Sequence, residues 1–177
     1  MGGCGSGRWA WHTRKTTVEE TLILDMNRTA EITGLKKRCY SRGNIQWSRN
    51  GEAFSNVSYE ANTLELNDAW IKLQYTQIRD KVDVNYRIEL TTTEQNFGGR
   101  RWWFVCPLVV NNRICNKRVG KLYLPSGGKY FGCRHCYDLT YTSCLESRQF
   151  DSLYKHLAKD LPGMTPDTVR RLMKEWK

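Results

Sequence analysis

The chain has 177 residues, and its 40% hydrophobic and 12% aromatic content is typical of a folded protein rather than a disordered one. Its formal net charge of +10 favours nucleic acid or an acidic protein surface as a partner. No apolar run approaches the roughly 18 residues of a membrane span, and the glycine-rich start lacks the apolar core of a secretory signal. Seven cysteines with metal-like spacing indicate a reducing compartment, so we expect a cytoplasmic protein with no membrane partner.

Residues 1–16 are predicted to form a flexible basic and aromatic arm. Four glycines precede or flank Arg8 and Trp9 and give this stretch little reason for order. Such an arm can become ordered on nucleic acid through charge and stacking, and Arg8 and Trp9 are therefore candidate binding residues. The alternative is a frayed terminus whose tryptophans fold back on the protein, and the sequence leaves both open.

Residues 17–97 are predicted to form a short helix and an antiparallel sheet. Asp25 is a suitable N-cap for a helix over 26–33, which Gly34 ends; a capping box of Thr17 and Glu20 is the weaker start signal. Alternating apolar residues then predict about four antiparallel strands over 44–93. The dipeptide Asn50-Gly51 predicts a tight hairpin turn between two of them.

The segment from Thr63 to Gln77 carries a second interruption. Its apolar positions predict a strand, and the polar pair Asn67 and Asp68 marks either a bulge in it or a further turn.

Residues 98–144 are predicted to form a zinc ribbon around four cysteines. Cys133 and Cys136 form a C-x2-C knuckle, whereas Cys106 and Cys115 are separated by eight residues, with an extra turn predicted over 109–112. Two thiolate pairs with a hairpin between them suit one structural, tetrahedral Zn²⁺. Four unrelated buried thiols, or two disulfides, are the alternatives.

Two nearby side chains are weaker ligand candidates. His135 lies inside the knuckle, where such residues are more often exposed, and Cys144 follows the knuckle by eight residues as a spare ligand. The ribbon itself is predicted from a strand through Phe104 and a hairpin of 118–124 with 129–132, turning at 125–128.

The basic residues are concentrated around the predicted zinc site. Residues 95–137 contain eight Lys or Arg and no acid, whereas residues 52–94 contain eight acids and four bases. Such a run favours an anionic partner, although a Cys4 zinc core of formal charge −2 also attracts cations. The candidate binding residues in this region are Arg100, Arg101, Trp102, Trp103, Lys117, Arg118, Lys121, Lys129 and Arg134.

The two adjacent tryptophans predict different environments. Neighbouring side chains of a strand point to opposite faces, so Trp102 and Trp103 are not both expected in the core. The more exposed one either offers a stacking surface to a base or covers the junction between sheet and ribbon.

Residues 145–177 are predicted to be a helical tail. Apolar residues at helical spacing over 145–161 are ended by Pro162 and Gly163, and Thr165 caps a last helix that opens with Pro166. A packing hairpin is favoured over a DNA-binding helix-turn-helix because the sequence shows no third helix.

The sequence offers little support for catalysis. Four cysteines leave no open coordination position on zinc, and the segment lacks the glutamate that a nucleobase deaminase needs beside its metal. A nuclease using acids of the sheet region is the enzymatic alternative. We therefore expect no catalytic residue and no small-molecule substrate.

Several blocks of the sequence resemble a group of uncharacterised bacterial and phage zinc-ribbon proteins. The resemblance is carried over most of the chain by GGCGSGRW, LDMNR, GGRRWWFVCP, CNKRVGKLYL and YFGCRHCYDLTY. It implies that Cys115 is the true partner of Cys106, with a variable loop between them, and that the protein belongs to a phage or mobile element. It implies no established activity.

The sequence thus predicts an α+β chain: an antiparallel sheet body, a fused Cys4 zinc ribbon and a C-terminal helical hairpin. The predicted function is non-catalytic nucleic-acid binding, to DNA or RNA. The alternative is a phage-encoded inhibitor or adaptor, of anti-defence and anti-CRISPR-like type, that binds a host defence complex through its basic surface.

Overall fold

The computed structural model describes residues 15–35, 38–49, 51–77, 81–146, 151–161 and 163–175. The chain divides into two compact units, Met1–Leu139 and Thr140–Lys177. Within the described ranges the fold is mixed α+β with short helices, and each pair of neighbouring strands is antiparallel. None of the described helices combines the length and apolar character needed to span a membrane.

The strands of the first unit are, in chain order, β1 (Leu22–Asp25), β2 (Tyr40–Arg49), β3 (Glu52–Asn62), β4 (Trp70–Gln77), β5 (Val82–Glu94), β6 (Arg100–Val105), β7 (Val109–Val110), β8 (Arg113–Ile114), β9 (Arg118–Val119) and β10 (Lys121–Leu124). Strands β2 to β6 lie side by side in chain order, with β9 at the far edge beside β6. Two small pairs, β1 with β10 and β7 with β8, complete the strand pairing.

The predicted helix α1 spans Met26–Thr33. The Asp25 carboxylate accepts hydrogen bonds from the backbone N–H groups of Asn27 at 2.9 Å and Arg28 at 3.5 Å, so it satisfies two donors of the first turn. Gly34 ends the helix in the left-handed region at φ 67°. The helix and both of its predicted ends are confirmed.

A short 3₁₀ turn precedes β1 at Val18–Glu20, where the Glu20 carboxylate accepts a hydrogen bond from the Thr17 N–H at 3.1 Å. The weaker start signal in the sequence thus opens one turn of helix. The β-rich residues that follow it form β1 instead of extending the helix.

The predicted four-strand region is confirmed as β2 to β5. Arg49 lies opposite Glu52, which leaves a two-residue turn in which Gly51 has φ 85°. Leu66–Asp68 form a 3₁₀ turn before β4, so the second interruption is a turn rather than a bulge. Leu64 precedes this turn and is 58% exposed, although its position in the pattern resembled that of a core residue.

The core lies between this sheet, α1 and the segment that follows β6. Ile71, Leu73 and Ile88 of the sheet are fully buried. Phe104 of β6 is equally buried, and so are Leu122 and Phe131 of the cysteine segment, which we define as residues 106–136. Sheet and cysteine segment therefore share one hydrophobic cluster.

The second unit contains α2 (Thr142–Glu146), α3 (Asp151–Asp160) and α4 (Pro166–Glu175). The Thr165 hydroxyl accepts a hydrogen bond from the Thr168 N–H at 3.3 Å, so Thr165 caps α4 as predicted. Residues 147–150, in the middle of the predicted first helix, lie outside the described residues. Helices α3 and α4 contact each other within this unit.

Candidate metal centre

The eight residues between Cys106 and Cys115 form a small β-hairpin. Strand β7 pairs with β8 in the register Val110 opposite Arg113. The turn residues Asn111 and Asn112 have φ 52° and 58°, the positive values that a two-residue hairpin turn requires. The Cys115 N–H donates to the Leu108 carbonyl at 2.8 Å, which closes the hairpin next to both cysteines. The extra turn predicted here is confirmed, and it explains the wide cysteine spacing.

The second pair lies on a tight knuckle. The Tyr137 N–H donates to the Cys133 carbonyl at 3.3 Å, and the Leu139 N–H donates to the Arg134 carbonyl at 3.0 Å. Asp138 has φ 46°, which lets the chain reverse after Cys136. These turns place both sulfurs of the knuckle on the same side.

The four sulfurs converge on one point. All four Sγ atoms lie within 4.8 Å of one another, with Cys106 to Cys136 at 3.8 Å, Cys115 to Cys133 at 3.8 Å and Cys133 to Cys136 at 3.5 Å. Tetrahedral sulfur ligands about 2.3 Å from a zinc ion lie about 3.8 Å from each other, so the spacing fits one four-coordinate ion. The cluster can hold a metal ion.

The alternatives for these cysteines are wrong. None of the described cysteines is in a disulfide, which excludes the two-disulfide arrangement. The thiols are not unrelated, because they meet in one cluster. The side chain of His135 is exposed, and the metal-holding group found among the described residues contains neither His135 nor Cys144.

Burial and hydrogen bonding act differently on the individual thiols. Burial raises the pKa of Cys106 to about 11, although backbone N–H groups of Leu108 and Cys133 oppose the shift. The pKa of Cys136 is also raised, chiefly by burial. Burial acts the same way on Cys115, but a hydrogen bond from the Lys117 backbone and those of the neighbouring thiols lower its pKa overall. Four thiolates at this point therefore require a cation among them to offset their desolvation and mutual repulsion.

Backbone donors stabilise charge on the sulfurs. The Cys133 N–H points at the Cys106 sulfur at 3.2 Å. The loops around Cys106 and Cys115 are joined by a hydrogen bond from the Cys106 N–H to the Lys117 carbonyl at 2.9 Å. The first contact lowers the energy of the Cys106 thiolate, and the second holds together the loops that carry Cys106 and Cys115.

Aromatic residues of the sheet hold the cysteine segment in place, a role that the sequence did not reveal. The Tyr75 hydroxyl of β4 donates to the Lys129 carbonyl at 2.6 Å, and the Phe131 N–H donates to the Tyr86 hydroxyl of β5 at 2.8 Å. The Trp47 ring stacks on Phe131 with centroids 6.0 Å apart. Alternation had placed Tyr75 and Tyr86 on the apolar face of their strands, but no local signal identified their partners more than 40 residues away.

The pairing of β10 is also more complex than the predicted hairpin. Tyr123 and Gly132 exchange two backbone hydrogen bonds of 2.7 and 2.9 Å, so 118–124 and 129–132 do meet. They meet in a single bridge rather than in a full hairpin, and β10 also pairs along its length with β1, from Leu22 opposite Leu124 to Asp25 opposite Lys121. Because both backbone groups of Tyr123 bond to Gly132, β1 lies along the other edge of β10, a partner that the sequence did not reveal.

The two tryptophans of β6 differ in environment, as the alternation predicted. Trp102 is 7% exposed and belongs to the core. Trp103 is half-buried, and its indole Nε1 donates to the Thr93 hydroxyl at 2.8 Å. The exposed guanidinium groups of Arg101 and Arg118 lie 4.2 and 5.7 Å from the Trp103 ring centre. The ring therefore supports two arginines from neighbouring strands.

Acids from other parts of the chain reach some of the predicted basic residues. Arg100 lies 3.6 Å from the Glu94 carboxylate, and Lys121 lies 3.2 Å from Asp25. Residues 95–137 contain no acid, but in the folded protein acids from outside this range lie beside two of their basic side chains.

The other predicted binding residues have varied settings. The ammonium group of Lys129 lies 5.4 Å from the Tyr130 ring centre, Lys117 is exposed and Arg134 is half-buried. Arg8 and Trp9 lie outside the described residues.

Comparison with protein-family models, with curated proteins and with solved structures gave no match.

Proposed function

We propose that this protein is a non-catalytic nucleic-acid-binding protein built on a Cys4 zinc ribbon. The observation that carries the proposal is the pair Arg101 and Arg118, which extends from the strands next to the cysteine segment and rests on the Trp103 ring. Both side chains are exposed, and neither is in an ion pair within the described part of the chain. Two pre-positioned guanidinium groups suit the phosphates of a nucleic-acid backbone.

We assign the metal as one structural Zn²⁺. Four sulfur ligands at tetrahedral spacing fit zinc or a single iron, and zinc is the usual ion where two cysteine pairs close a small ribbon. The ion would leave no open coordination position for water or substrate. Its role in the proposal is to fix the strands β6 and β9 that carry the arginines.

The C-terminal unit is proposed to be a helical hairpin with a packing role. Helices α3 and α4 contact each other and are joined by a short connection that includes Gly163 at φ 87°. The sequence showed no third helix, but the unit also contains the five-residue α2; because α2 is shorter than two turns, we retain a packing hairpin over a helix-turn-helix. The phage or mobile-element origin and the cytoplasmic location are part of the same proposal, supported by the quoted sequence blocks and the reduced cysteines.

The proposal is tested by metal analysis and by binding of labelled DNA and RNA over a range of salt concentrations. We expect one zinc per chain and a linear fall of log K with log salt, because each neutralised phosphate releases counterions. Removing two phosphate contacts with Arg101→Ala and Arg118→Ala should make that slope shallower by about 1.4 on a single strand or about 1.8 on a duplex.

The matched control is Arg42→Ala, which removes one exposed arginine from the opposite edge strand of the sheet. We expect this variant to keep the salt slope of the wild type. No binding to any nucleic acid at low salt would contradict the proposal and favour the alternative, an inhibitor or adaptor with a single acidic protein partner.

A further inference from the structure

An open groove of about 530 Å³ lies between helix α1 and the start of strand β6. Three of its lining residues, Met26, Ala30 and Trp102, are apolar, but they are almost completely buried, so polar groups form most of the surface that the groove exposes. Its rim is polar and is formed by Asn27, Glu31, Gln95, Arg100 and Arg101. The volume falls within the range of about 300–1,000 Å³ that is typical of sites for small organic groups.

The turn beside this groove carries an unusually exposed aromatic ring. Phe97 has a relative exposure of 104%, which is the largest value among the exposed apolar residues of the described chain. It lies in the turn between β5 and β6, where Gly98 and Gly99 have φ 84° and 85°. The Gln95 N–H donates to the Gly99 carbonyl at 3.1 Å, so hydrogen bonding fixes the base of this turn.

The turn is close in sequence to the groove residues on both of its sides. Gln95 precedes Phe97 by two residues, and Arg100 follows it by three. Covering an exposed apolar ring with another flat apolar surface lowers the free energy, because both surfaces are removed from water. Arg100 is paired with Glu94, but Arg101 is in no ion pair within the described residues, and its charge favours an anionic covering molecule.

Resting on the proposed function, we propose that the groove and Phe97 bind single-stranded nucleic acid. One base enters the groove, and the next base along the strand stacks on the Phe97 ring. A nucleobase has a polar edge, which suits the polar groups of the groove, and two apolar faces, which suit the exposed Phe97 ring. Bases in a duplex are stacked and paired, so they present neither a free face to Phe97 nor a free edge to the groove.

The charges of the rim determine on which side of the groove the backbone and the base of the bound strand lie. Arg100 and Arg101 lie on the β6 side; Arg101 suits a phosphate directly, and Arg100 does so once it leaves its ion pair with Glu94. On the α1 side lie Asn27 and Glu31, and the Glu31 carboxylate would repel a phosphate but accept a hydrogen bond from a base amino group. Within the described residues the side chains of Asn27 and Gln95 make no hydrogen bond to protein, so their amides are available to a base edge. The backbone therefore lies over β6 and the base points towards α1.

The experiment measures binding of the full-length, zinc-loaded protein to a dye-labelled single strand and to a duplex of the same length, by fluorescence anisotropy. We expect the single strand to bind more tightly at every salt concentration. Phe97→Ala should weaken single-strand binding by about 5- to 150-fold, the equivalent of about 1–3 kcal/mol for one stacked base. It should leave duplex binding nearly unchanged.

Two further variants separate stacking from other effects of the substitution. Phe97→Leu keeps an apolar side chain without a ring and should lose most of the same affinity. Leu64→Ala truncates another exposed apolar residue, at a turn that does not line the groove, and should bind like the wild type. Since Phe97 is fully exposed, all of these proteins should fold normally, which thermal unfolding checks.

The outcomes separate this inference from the proposed function. Equal binding of duplex and single strand, or full affinity in Phe97→Ala, would overturn the inference while salt-dependent binding upheld the proposed function. Loss of binding to all nucleic acids, with retention of an acidic protein or peptide at the same arginines, would overturn both.

Discussion

At the scale of single residues, close packing around the metal ligands depends on the absence of one side chain. A Cβ added at Gly132 would lie 2.0 Å from the Leu108 Cδ1 and 2.7 Å from its Cγ. Leu108 accepts the hydrogen bond of Cys115 and donates one towards Cys106. A displaced Leu108 therefore disturbs both cysteines of the first pair.

We predict that Gly132→Ala lowers the free energy of unfolding by about 1–3 kcal/mol, because the extra methyl group overpacks the site. The same shift of Leu108 should weaken metal binding, which a competition titration with a chelator measures. Gly120→Ala is the matched control, since its added Cβ would meet the Trp103 ring at 3.6 Å, an ordinary contact. Equal stability of the two variants would contradict the packing argument.

At the scale of elements, the cysteine segment connects distant parts of the chain. Strand β10 binds β1, and the Trp47 indole of β2 donates to the Ile23 carbonyl of β1 at 2.8 Å. The Met26 N–H at the start of α1 donates to the Gly120 carbonyl at 2.9 Å. The N-terminal strand and helix therefore depend on the position of residues 118–124, which the proposed metal ion would fix.

We predict that a strong chelator accelerates amide hydrogen exchange in β1 and β10 far more than in β3 and β4, because structural zinc contributes its binding energy to folding. Mass-spectrometric exchange on peptides covering 22–25 and 121–124, compared with 58–62 and 71–77, measures the difference. Adding zinc back should restore protection, and Cys133→Ser should behave like the chelated protein. A uniform increase in all strands would show that the metal supports the whole unit rather than this corner of it.

At the scale of the whole molecule, the sheet and the cysteine segment form one unit that aromatic residues hold together. Burial raises the pKa of Tyr75 to about 12 and also raises the pKa of Tyr86. A raised pKa in the folded state means that the phenol stabilises the fold fully below its unfolded pKa of about 10. This contribution is lost as pH rises from about 10 through 12.

We predict that the protein unfolds at alkaline pH in the same range in which these tyrosines ionise. Phenolate absorbance should show tyrosines whose ionisation, above pH 10, coincides with the loss of circular dichroism. A sample in strong denaturant serves as the control and should show a single transition near pH 10. Complete ionisation of all nine tyrosines in a protein that keeps its circular dichroism would contradict the prediction.

The structural features that could be predicted from the sequence are those that depend on interactions between neighbouring residues. The cap at Asp25, the stop at Gly34, the turn at Gly51 and the turn at Asn111 and Asn112 each depend on residues within a few positions of one another. The cysteine spacing similarly limits the ways in which four thiols can meet. These features therefore followed from the order of residues alone.

Only the tertiary structure decided which distant groups meet. The pairing of β1 with β10, the hydrogen bonds from Tyr75 and Tyr86 to residues 129–131, and the acids beside Arg100 and Lys121 join positions that the sequence does not connect. The groove between α1 and β6 has the same origin, because its two walls lie about 70 residues apart in the chain. Such contacts depend on the packing of whole elements, for which one sequence carries no local signal.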